Sequence, residues 1–399
     1  MTGPSTPSTP AWRRWTAVLG VSLVSVGLAA YEIAPASVAP IVRDSLGVGP
    51  AATGLLVGVV FGTIVIASLP AGVVLDRTGS RAAIAVAVLA LVLAGVWGLR
   101  AGERGDFQSL LASRVLGGLA SAVIWNAGID VVSRLVTERN RATAVGLFTA
   151  SGPLGFALGQ AAGPLVAGRA GWPVVSPAAA GIAVVGLAVF WPASRGLDRS
   201  TGAPPSLRAV AAVLRTPAVL HVAALGFLAY SLYLFLNGLG PSYLTEGLGL
   251  GLGRSGLLVA AFPATGILAR TASGLASDRL FGGRRRPVVL LSFLVAAPVL
   301  LVFTRLAAVP VLLAALLLVG FAVQLTLGLS YAYVQEVVTP NVRATAVAVQ
   351  TSAGLAGAAL APVVGGAVVD AAGYEVAFLL VGGVALVGIG VAWWAPATG

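Results

Sequence analysis

The chain of 399 residues contains no cysteine, and its 24 basic residues are all arginine, without a single lysine. The absence of cysteine excludes disulfide scaffolds, thiolate metal sites and cysteine nucleophiles. The absence of lysine matters for proton transfer, because arginine keeps its proton in proteins. Any side chain that carries a proton must therefore be an acid or the one histidine, His221.

Charged residues of any kind are also scarce. They make up 9% of the chain, against about 25% in soluble proteins, whereas 58% of the residues are apolar. So much apolar surface indicates a protein whose solvent is the lipid bilayer. The net charge of +11 reflects the excess of arginine, and most arginines lie in loops on the side of the membrane where the N-terminus lies. This distribution is typical of cytoplasmic loops rather than of a nucleic-acid-binding face. We expect a multi-pass protein of the plasma membrane with both termini cytoplasmic and no nucleic-acid partner.

Long apolar runs recur along the whole chain. A membrane-spanning helix needs about 20 such residues, and backbone groups cannot stay unpaired in lipid, so each run should be a helix. Six prolines inside the runs should kink the helices: Pro35, Pro70, Pro153, Pro164, Pro263 and Pro362. The predicted spans are 16–41, 52–75, 82–100, 108–133, 143–168 and 172–193, followed by 218–243, 254–277, 287–307, 309–335, 344–370 and 374–395.

The second half of the chain repeats features of the first at a constant offset of 202 residues. The pairs related by this offset are Asp76 and Asp278, Arg141 and Arg343, Gly171 and Gly373, and Trp191 and Trp393. An even number of spans in each half makes this a parallel repeat, with a substrate site expected between the halves near the midplane. We predict a disordered cytoplasmic tail at 1–12, a six-helix lobe at 13–193, a cytoplasmic linker at 194–217 and a second six-helix lobe at 218–399.

Three motifs resemble those of the major facilitator superfamily. The hairpin at 72–84 is similar to the signature loop G-x-L-x-D-R-x-G-R-R-x-x-L, with Ser80 at a usually basic position. The segment that begins at Arg114 resembles the fourth-helix motif R-x-x-x-G-x-G. Residues 159–168 resemble a fifth-helix motif associated with proton-driven exporters, and predict close helix packing at Gly159, Gly163, Pro164 and Gly168. The resemblance implies an all-α fold of twelve membrane helices and a monomeric transporter without cofactor.

The resemblance also implies a conformational latch at the hairpin. Asp76 would contact the start of the eleventh helix near Asn341, since a helix N-terminus favours a carboxylate. The repeat predicts the same role for Asp278 at the start of the fifth helix near Asn140, and Asp130 would pair with Arg77. Gly72 of the first hairpin and Arg279 of the second are also predicted to belong to the latch. Alternatively, the hairpin arginines are only topology signals.

Glu32, Arg114 and Arg270 are ionisable groups inside spans, where charge is costly and indicates function. Glu32 and Arg114 lie on helices that touch in the superfamily. We predict Glu32 as the proton-coupling carboxylate and Arg114 as its modulator, with a structural ion pair as the alternative. Arg270 has no counterpart in the repeat and suits an anionic substrate, although its side chain could instead reach the headgroups.

Polar and aromatic side chains near these charges are candidates for substrate binding. They are Tyr31, Asn126, Tyr233, Asn237, Gln324 and Gln350. The sequence shows no triad, phosphate-binding loop or metal-ligand cluster, so we expect neither an enzyme nor a metal or cofactor.

Two transporter classes remain open, and the sequence favours the first slightly over the second. One is a proton-coupled exporter of lipophilic or cationic compounds, which rests on Glu32, Arg114 and the fifth-helix motif. The other is a proton-coupled uptake carrier for a small organic or inorganic anion, which rests on Arg270 and Arg114.

Overall fold

The computed structural model describes residues 10–195 and 212–397, apart from the side chains of residues 69, 73, 74, 76, 77, 139 and 142. Most of the predicted tail and linker therefore lie outside the described residues. The described part is helical throughout, without strands. The first helix begins at Ala11, inside the segment predicted as a tail.

Seven α-helices form the first half. They are α1 (Ala11–Ser37), α2 (Ala39–Leu46), α3 (Pro50–Thr78), α4 (Ser80–Glu103), α5 (Phe107–Leu135), α6 (Glu138–Ala170) and α7 (Val175–Ala193). The short helix α2 extends the first predicted span beyond the turn at Val38.

From Pro217 onward, the described residues form six α-helices. They are α8 (Pro217–Ser242), α9 (Leu252–Ala264), α10 (Gly266–Leu280), α11 (Arg285–Val302), α12 (Val309–Glu336) and α13 (Arg343–Trp393). Helices α9 and α10 form one span that divides at Thr265, two residues after Pro263, where the backbone stays in the helical region. A π-helical turn, Tyr243–Gly247, follows α8.

Twelve crossings account for these helices. Ten segments within residues 10–195 and 212–397 are long and apolar enough to span a membrane, and the last of them, Pro340–Trp393, contains two crossings. The chain turns inside α13 at Gly373, whose φ of 82° favours glycine. Helix α6 contains the predicted fifth span. The fold is thus the predicted bundle of twelve membrane helices in two six-helix lobes.

The two lobes share structural details that follow the sequence repeat. Gly171 has a φ of 87°, and its repeat partner Gly373 has a φ of 82°. The guanidinium of Arg81 lies 3.8 Å from the ring centroid of Trp191, and that of Arg286 lies 5.7 Å from the ring of Trp393, the repeat partner of Trp191. In both lobes, then, a cation from the first turn of the third span lies against an aromatic ring at the end of the sixth.

Candidate functional site between the lobes

The lobes meet along α3 and α13 in one half of the bundle. We call the end where α3 stops and α4 begins the hairpin end, and the opposite end, where α3 begins, the sealed end. A Cβ added at Gly54 would lie 2.1 Å from the carbonyl oxygen of Pro362, and one at Gly58 would lie 2.3 Å from that of Ala359. The backbones therefore touch, and larger residues at these two glycines would push the lobes apart.

Polar contacts join the lobes at the sealed end. Glu246, in the π-helical turn, forms an ion pair with Arg43 of α2 and accepts a hydrogen bond of 2.7 Å from the hydroxyl of Tyr374. Asp370 of α13 accepts a hydrogen bond of 2.9 Å from the backbone N–H of Ala51, in the first turn of α3. A carboxylate is favourable there because the first N–H groups of a helix lack partners.

A row of aromatic rings crosses from one lobe to the other nearer the midplane. Phe61 and Phe156 of the first lobe have centroids 6.5 Å apart. Tyr233 of the second lobe lies 5.5 Å from Phe156 and 5.5 Å from Phe262. All four rings are buried. The row therefore closes the seam in its middle. Of its members, sequence reasoning singled out only Tyr233, because phenylalanines at helical spacing are also typical of ordinary cores.

Arg114 is buried in the first lobe and binds backbone carbonyls. Its Nη1 donates to the carbonyl of Tyr31 at 2.8 Å, its Nη2 to that of Glu32 at 2.6 Å and its Nε to that of Leu56 at 2.9 Å. Pro35 explains the first of these bonds: it has no N–H, so the carbonyl of Tyr31, four residues earlier, lacks its helical partner. Arg114 thus joins α1, α3 and α5.

The Glu32 carboxylate is beside Arg114 but does not pair with it. The Glu32 side chain is 1% exposed, and its Oε1 accepts a hydrogen bond of 3.4 Å from Nε1 of Trp125. Among the described side chains, the ion pairs within 4.0 Å do not include Glu32. The alternative interpretation, a structural ion pair between the two side chains, is therefore not supported. Trp125 was missed in the sequence, where tryptophan on a membrane helix carries no specific signal.

Arg270 lies in the second lobe on the hairpin side of the aromatic row. Its Nε donates to Oε1 of Gln324 at 3.0 Å, and Nε2 of Gln324 donates to the carbonyl of Pro263 at 2.9 Å. Arg270 is half-buried, and no acid lies within 4.0 Å of it among the described side chains. Gln324 therefore orients a guanidinium that is left without a counter-charge.

The other predicted substrate-binding residues occupy different environments. Tyr31 is enclosed in the first lobe, with its ring 4.3 Å from the Arg114 guanidinium, so it supports Arg114 rather than lining the seam. Asn126 is half-buried and donates to the carbonyl of Ser68 at 3.4 Å. Asn237 is fully buried at the seam. Gln350 is fully buried against Gly226, inside the second lobe.

Among the predicted latch residues with described side chains, Asp130 and Asp278 make contacts within their own lobes. The side chains of Asp76 and Arg77 lie outside the described part, and Gly72 faces open space. Asp130 accepts a hydrogen bond from Ser80 and pairs with Arg134, one turn along the same helix. Its predicted pairing with Arg77 falls outside the described side chains. Ser80, at a usually basic motif position, thus gains a partner that the sequence did not indicate.

The second hairpin also differs from the prediction. Asp278 accepts a hydrogen bond of 2.6 Å from Nη1 of Arg285, and Arg285 also pairs with Glu336. Asp278 therefore bonds within its own hairpin rather than reaching Asn140. The extra glycine of this hairpin lets the chain turn back toward Asp278. Arg279 is exposed.

The fifth-helix glycines of α6 pack mostly on α1. A Cβ at Gly159 would lie 2.6 Å from Cγ2 of Ile33, and one at Gly163 would lie 2.0 Å from Oγ of Ser37. Pro164 instead contacts Gly256 of the second lobe, whereas Gly168 has nothing within 4 Å. This segment therefore supports both the first lobe and the seam.

Comparisons with known proteins agree with this architecture. A family model described as Major Facilitator Superfamily matches residues 17–253 and 222–398. Two crystal structures of a bacterial homologue of the human lysosomal transporter Spinster, inward-facing with one unoccupied and one occupied, match with a TM-score of 0.81. They are 14% and 16% identical to this chain, cover 98% of it and are themselves covered to 98% and 97%. At such identities the likeness shows the fold.

One relative matches over a shorter stretch. The "Probable 4-methylmuconolactone transporter" of Cupriavidus pinatubonensis (strain JMP 134 / LMG 1197) is 30% identical over 128 residues, which is 32% of this chain and 28% of that protein. From the family model, the twelve-helix fold and the seam between two lobes, we conclude that the chain belongs to the Major Facilitator Superfamily and is a multi-pass membrane transporter, not an enzyme.

Proposed function

We propose that the protein is a proton-coupled secondary transporter of a small organic anion, which works by alternating opening of the seam at its two ends. The observation that carries this proposal is Arg270, a half-buried guanidinium held by Gln324 with no acid within 4.0 Å among the described side chains. A cation inside a membrane bundle is costly unless it is paired. An anionic substrate would supply the missing charge, and a carboxylate fits the guanidinium fork in two-point geometry.

Glu32 is the proposed proton-binding group. Its carboxylate is buried in the first lobe, with Trp125 as a hydrogen-bond donor. Binding of a proton removes the charge of this carboxylate. The electrostatic energy of the closed seam then depends on whether Glu32 is protonated, and this dependence can couple a proton gradient to the conformation.

The basic loops support a cytoplasmic hairpin end in the plasma membrane. The present arrangement, sealed at the opposite end, would then be the inward-facing one. The relative named for 4-methylmuconolactone supports an organic solute, although the match covers 28% of that protein.

An exporter of lipophilic or cationic compounds is the second candidate. The specific observation in its favour is that the Glu32 carboxylate bonds to the indole of Trp125 and forms no ion pair within 4.0 Å among the described side chains. A cationic substrate could supply that ion pair. The fifth-helix motif, which resembles that of proton-driven exporters, points the same way.

Binding to purified protein distinguishes the two candidates. We expect small carboxylates such as benzoate to raise the melting temperature of the wild type, and Arg270→Gln to abolish this shift because the counter-charge is gone. Arg305→Gln, an exposed arginine at the sealed end, is the matched control and should retain the shift. Stabilisation by tetraphenylphosphonium that is lost in Glu32→Gln, with no response to any carboxylate, would instead identify the exporter.

A further inference from the structure

Two buried amide side chains meet across the seam on the sealed side of Tyr233. Nε2 of Gln160, on α6, donates to the backbone carbonyl of Asn237, on α8, at 2.7 Å. Nδ2 of Asn237 donates to the carbonyl of Tyr233 at 2.9 Å. Both amide side chains are fully buried. They come from different lobes, so any movement that parts the lobes separates them.

The orientation of both amides is fixed by their acceptors. Only the NH₂ end of an amide can donate to a carbonyl oxygen, so the side-chain oxygens of Gln160 and Asn237 point elsewhere. Neither oxygen has a hydrogen-bond partner among the described residues, and the same holds for the hydroxyl of Tyr233. A buried acceptor without a partner costs about 1–3 kcal/mol. The closed seam thus contains two side-chain oxygens without donors, those of Gln160 and Asn237, and Asn237 is one helical turn from the unpartnered hydroxyl of Tyr233.

Arg270 lies on the other side of the aromatic row. Helix α8 runs toward the sealed end, so Asn237 is one turn beyond Tyr233 in that direction. Helices α9 and α10 run toward the hairpin end, so Arg270 is about two turns beyond Phe262 in the opposite direction. The seam therefore has a cation on the hairpin side of the aromatic row and hydrogen-bond acceptors on the sealed side.

We propose that the side-chain oxygens of Gln160 and Asn237 form a second part of the substrate site, which binds a hydroxyl or amide N–H group of the transported anion. This inference rests on the proposed function and narrows it: the substrate carries a hydrogen-bond donor at the end remote from its negative charge. The donor end reaches the two oxygens when the aromatic row separates. Gln160 contributes from the first lobe, so the site is complete only if both lobes contact the same molecule.

Binding of matched anions tests this inference. The probes are 4-hydroxybenzoate and benzoate, which differ only in a hydroxyl remote from the carboxylate, with affinities measured calorimetrically on the purified protein. We expect the wild type to bind 4-hydroxybenzoate about tenfold more tightly, because a site built to accept a hydrogen bond discriminates against a ligand without the donor. Gln160→Met and Asn237→Leu should reduce this ratio to about one and leave benzoate affinity within about twofold.

Two controls separate binding from folding. Gln108→Met, at an exposed glutamine of α5, should keep the tenfold preference. Asn237→Leu removes an orphaned acceptor and leaves the Tyr233 carbonyl its helical N–H, so it should melt no lower than the wild type and carries the test. Gln160→Met also removes the donor to the Asn237 carbonyl, which lacks a helical partner because Pro241 has no N–H, so it should melt lower than the wild type.

The possible failures are distinguishable. If the wild type binds both probes equally, or if the seam variants keep the preference, the inference is overturned while the proposed function stands. If neither probe binds and Arg270→Gln changes no carboxylate response, the proposed function and this inference both fail.

Discussion

At the scale of single residues, Arg114 and Glu32 have separate tasks although they are adjacent. Arg114 binds the backbone of Tyr31, Glu32 and Leu56, whereas the Glu32 carboxylate bonds to Trp125. Because Arg114 donates hydrogen bonds to backbone carbonyls, it holds the helices together whether or not Glu32 is charged. Stability and proton coupling should therefore respond to different substitutions.

Replacement of Arg114 should destabilise the first lobe. Arg114→Met leaves the Tyr31 carbonyl without a donor, which we expect to cost about 2 kcal/mol. Arg114→Lys should recover only part of this loss, because an ammonium cannot reach three carbonyls on two neighbouring helices at once. Thermal unfolding in detergent measures both effects, with Arg100→Gln, an exposed arginine of α4, as the control. An unchanged melting temperature for Arg114→Met would show that the three bonds contribute nothing.

Glu32→Gln should have the opposite profile. The amide keeps the shape of the side chain and can still accept from Trp125, so we expect the melting temperature to stay near that of the wild type. Transport driven by a pH gradient in proteoliposomes should be lost, because an amide cannot exchange a proton, while substrate exchange without a gradient continues. Glu103→Gln, at an exposed acid of α4, is the matched control. Full gradient-driven transport by Glu32→Gln would remove Glu32 from the coupling mechanism.

At the scale of the helices, the proline in α1 and the position of Arg114 depend on one another. Pro35 deprives the Tyr31 carbonyl of its helical donor, and Arg114 of α5 supplies a replacement at 2.8 Å. A membrane helix tolerates a proline only where another group satisfies the freed carbonyl. The proline and the arginine therefore act as a pair, although they are on different helices.

A double-mutant cycle tests this pairing. Pro35→Ala restores an N–H that can bond to the Tyr31 carbonyl, so it should offset part of the damage caused by Arg114→Met. We expect a favourable coupling of about 1 kcal/mol between the two substitutions in thermal or denaturant unfolding. Pro298→Ala, within α11 of the other lobe, should show no coupling with Arg114→Met. Strict additivity of Pro35→Ala and Arg114→Met would contradict the assignment of Arg114 as the replacement donor.

The helices themselves were largely predictable, but their side-chain partners were not. Apolar runs of the right length place the crossings, and Gly171 and Gly373 mark the same turn in both lobes. The sequence could not show that Arg114 binds the backbone carbonyls of Tyr31 and Glu32 rather than the Glu32 carboxylate, because all three groups lie on the same turn of α1. Gln160 was also missed as a candidate, since an amide on a membrane helix is as often a packing contact as a binding group.

At the scale of the whole molecule, α3 runs antiparallel to the first crossing of α13, which ends at the turn at Gly373, so each begins where the other ends. Asp370 of α13 caps the start of α3. Asp76, near the end of α3, is predicted to cap the start of α13 in the same way. One pair of helices would then carry a carboxylate latch at each end of the seam. Closing one latch while opening the other is the exchange that alternating access requires.

Weakening the sealed end should therefore shift the population toward its open form. Asp370→Asn removes a charge from a helix N-terminus, which is worth about 0.3–1 kcal/mol, and Glu246→Gln removes the ion pair with Arg43. The chain lacks cysteine, so Ser255→Cys, at a fully buried position of α9 beside the seam, reports opening without background. We expect either substitution to speed labelling of this cysteine by a membrane-impermeant maleimide about two- to fivefold. Ser45→Cys, exposed at the same end, is the control and should label at one rate in every background. If the labelling rate of Ser255→Cys is also the same with and without these substitutions, the contacts do not hold the seam closed.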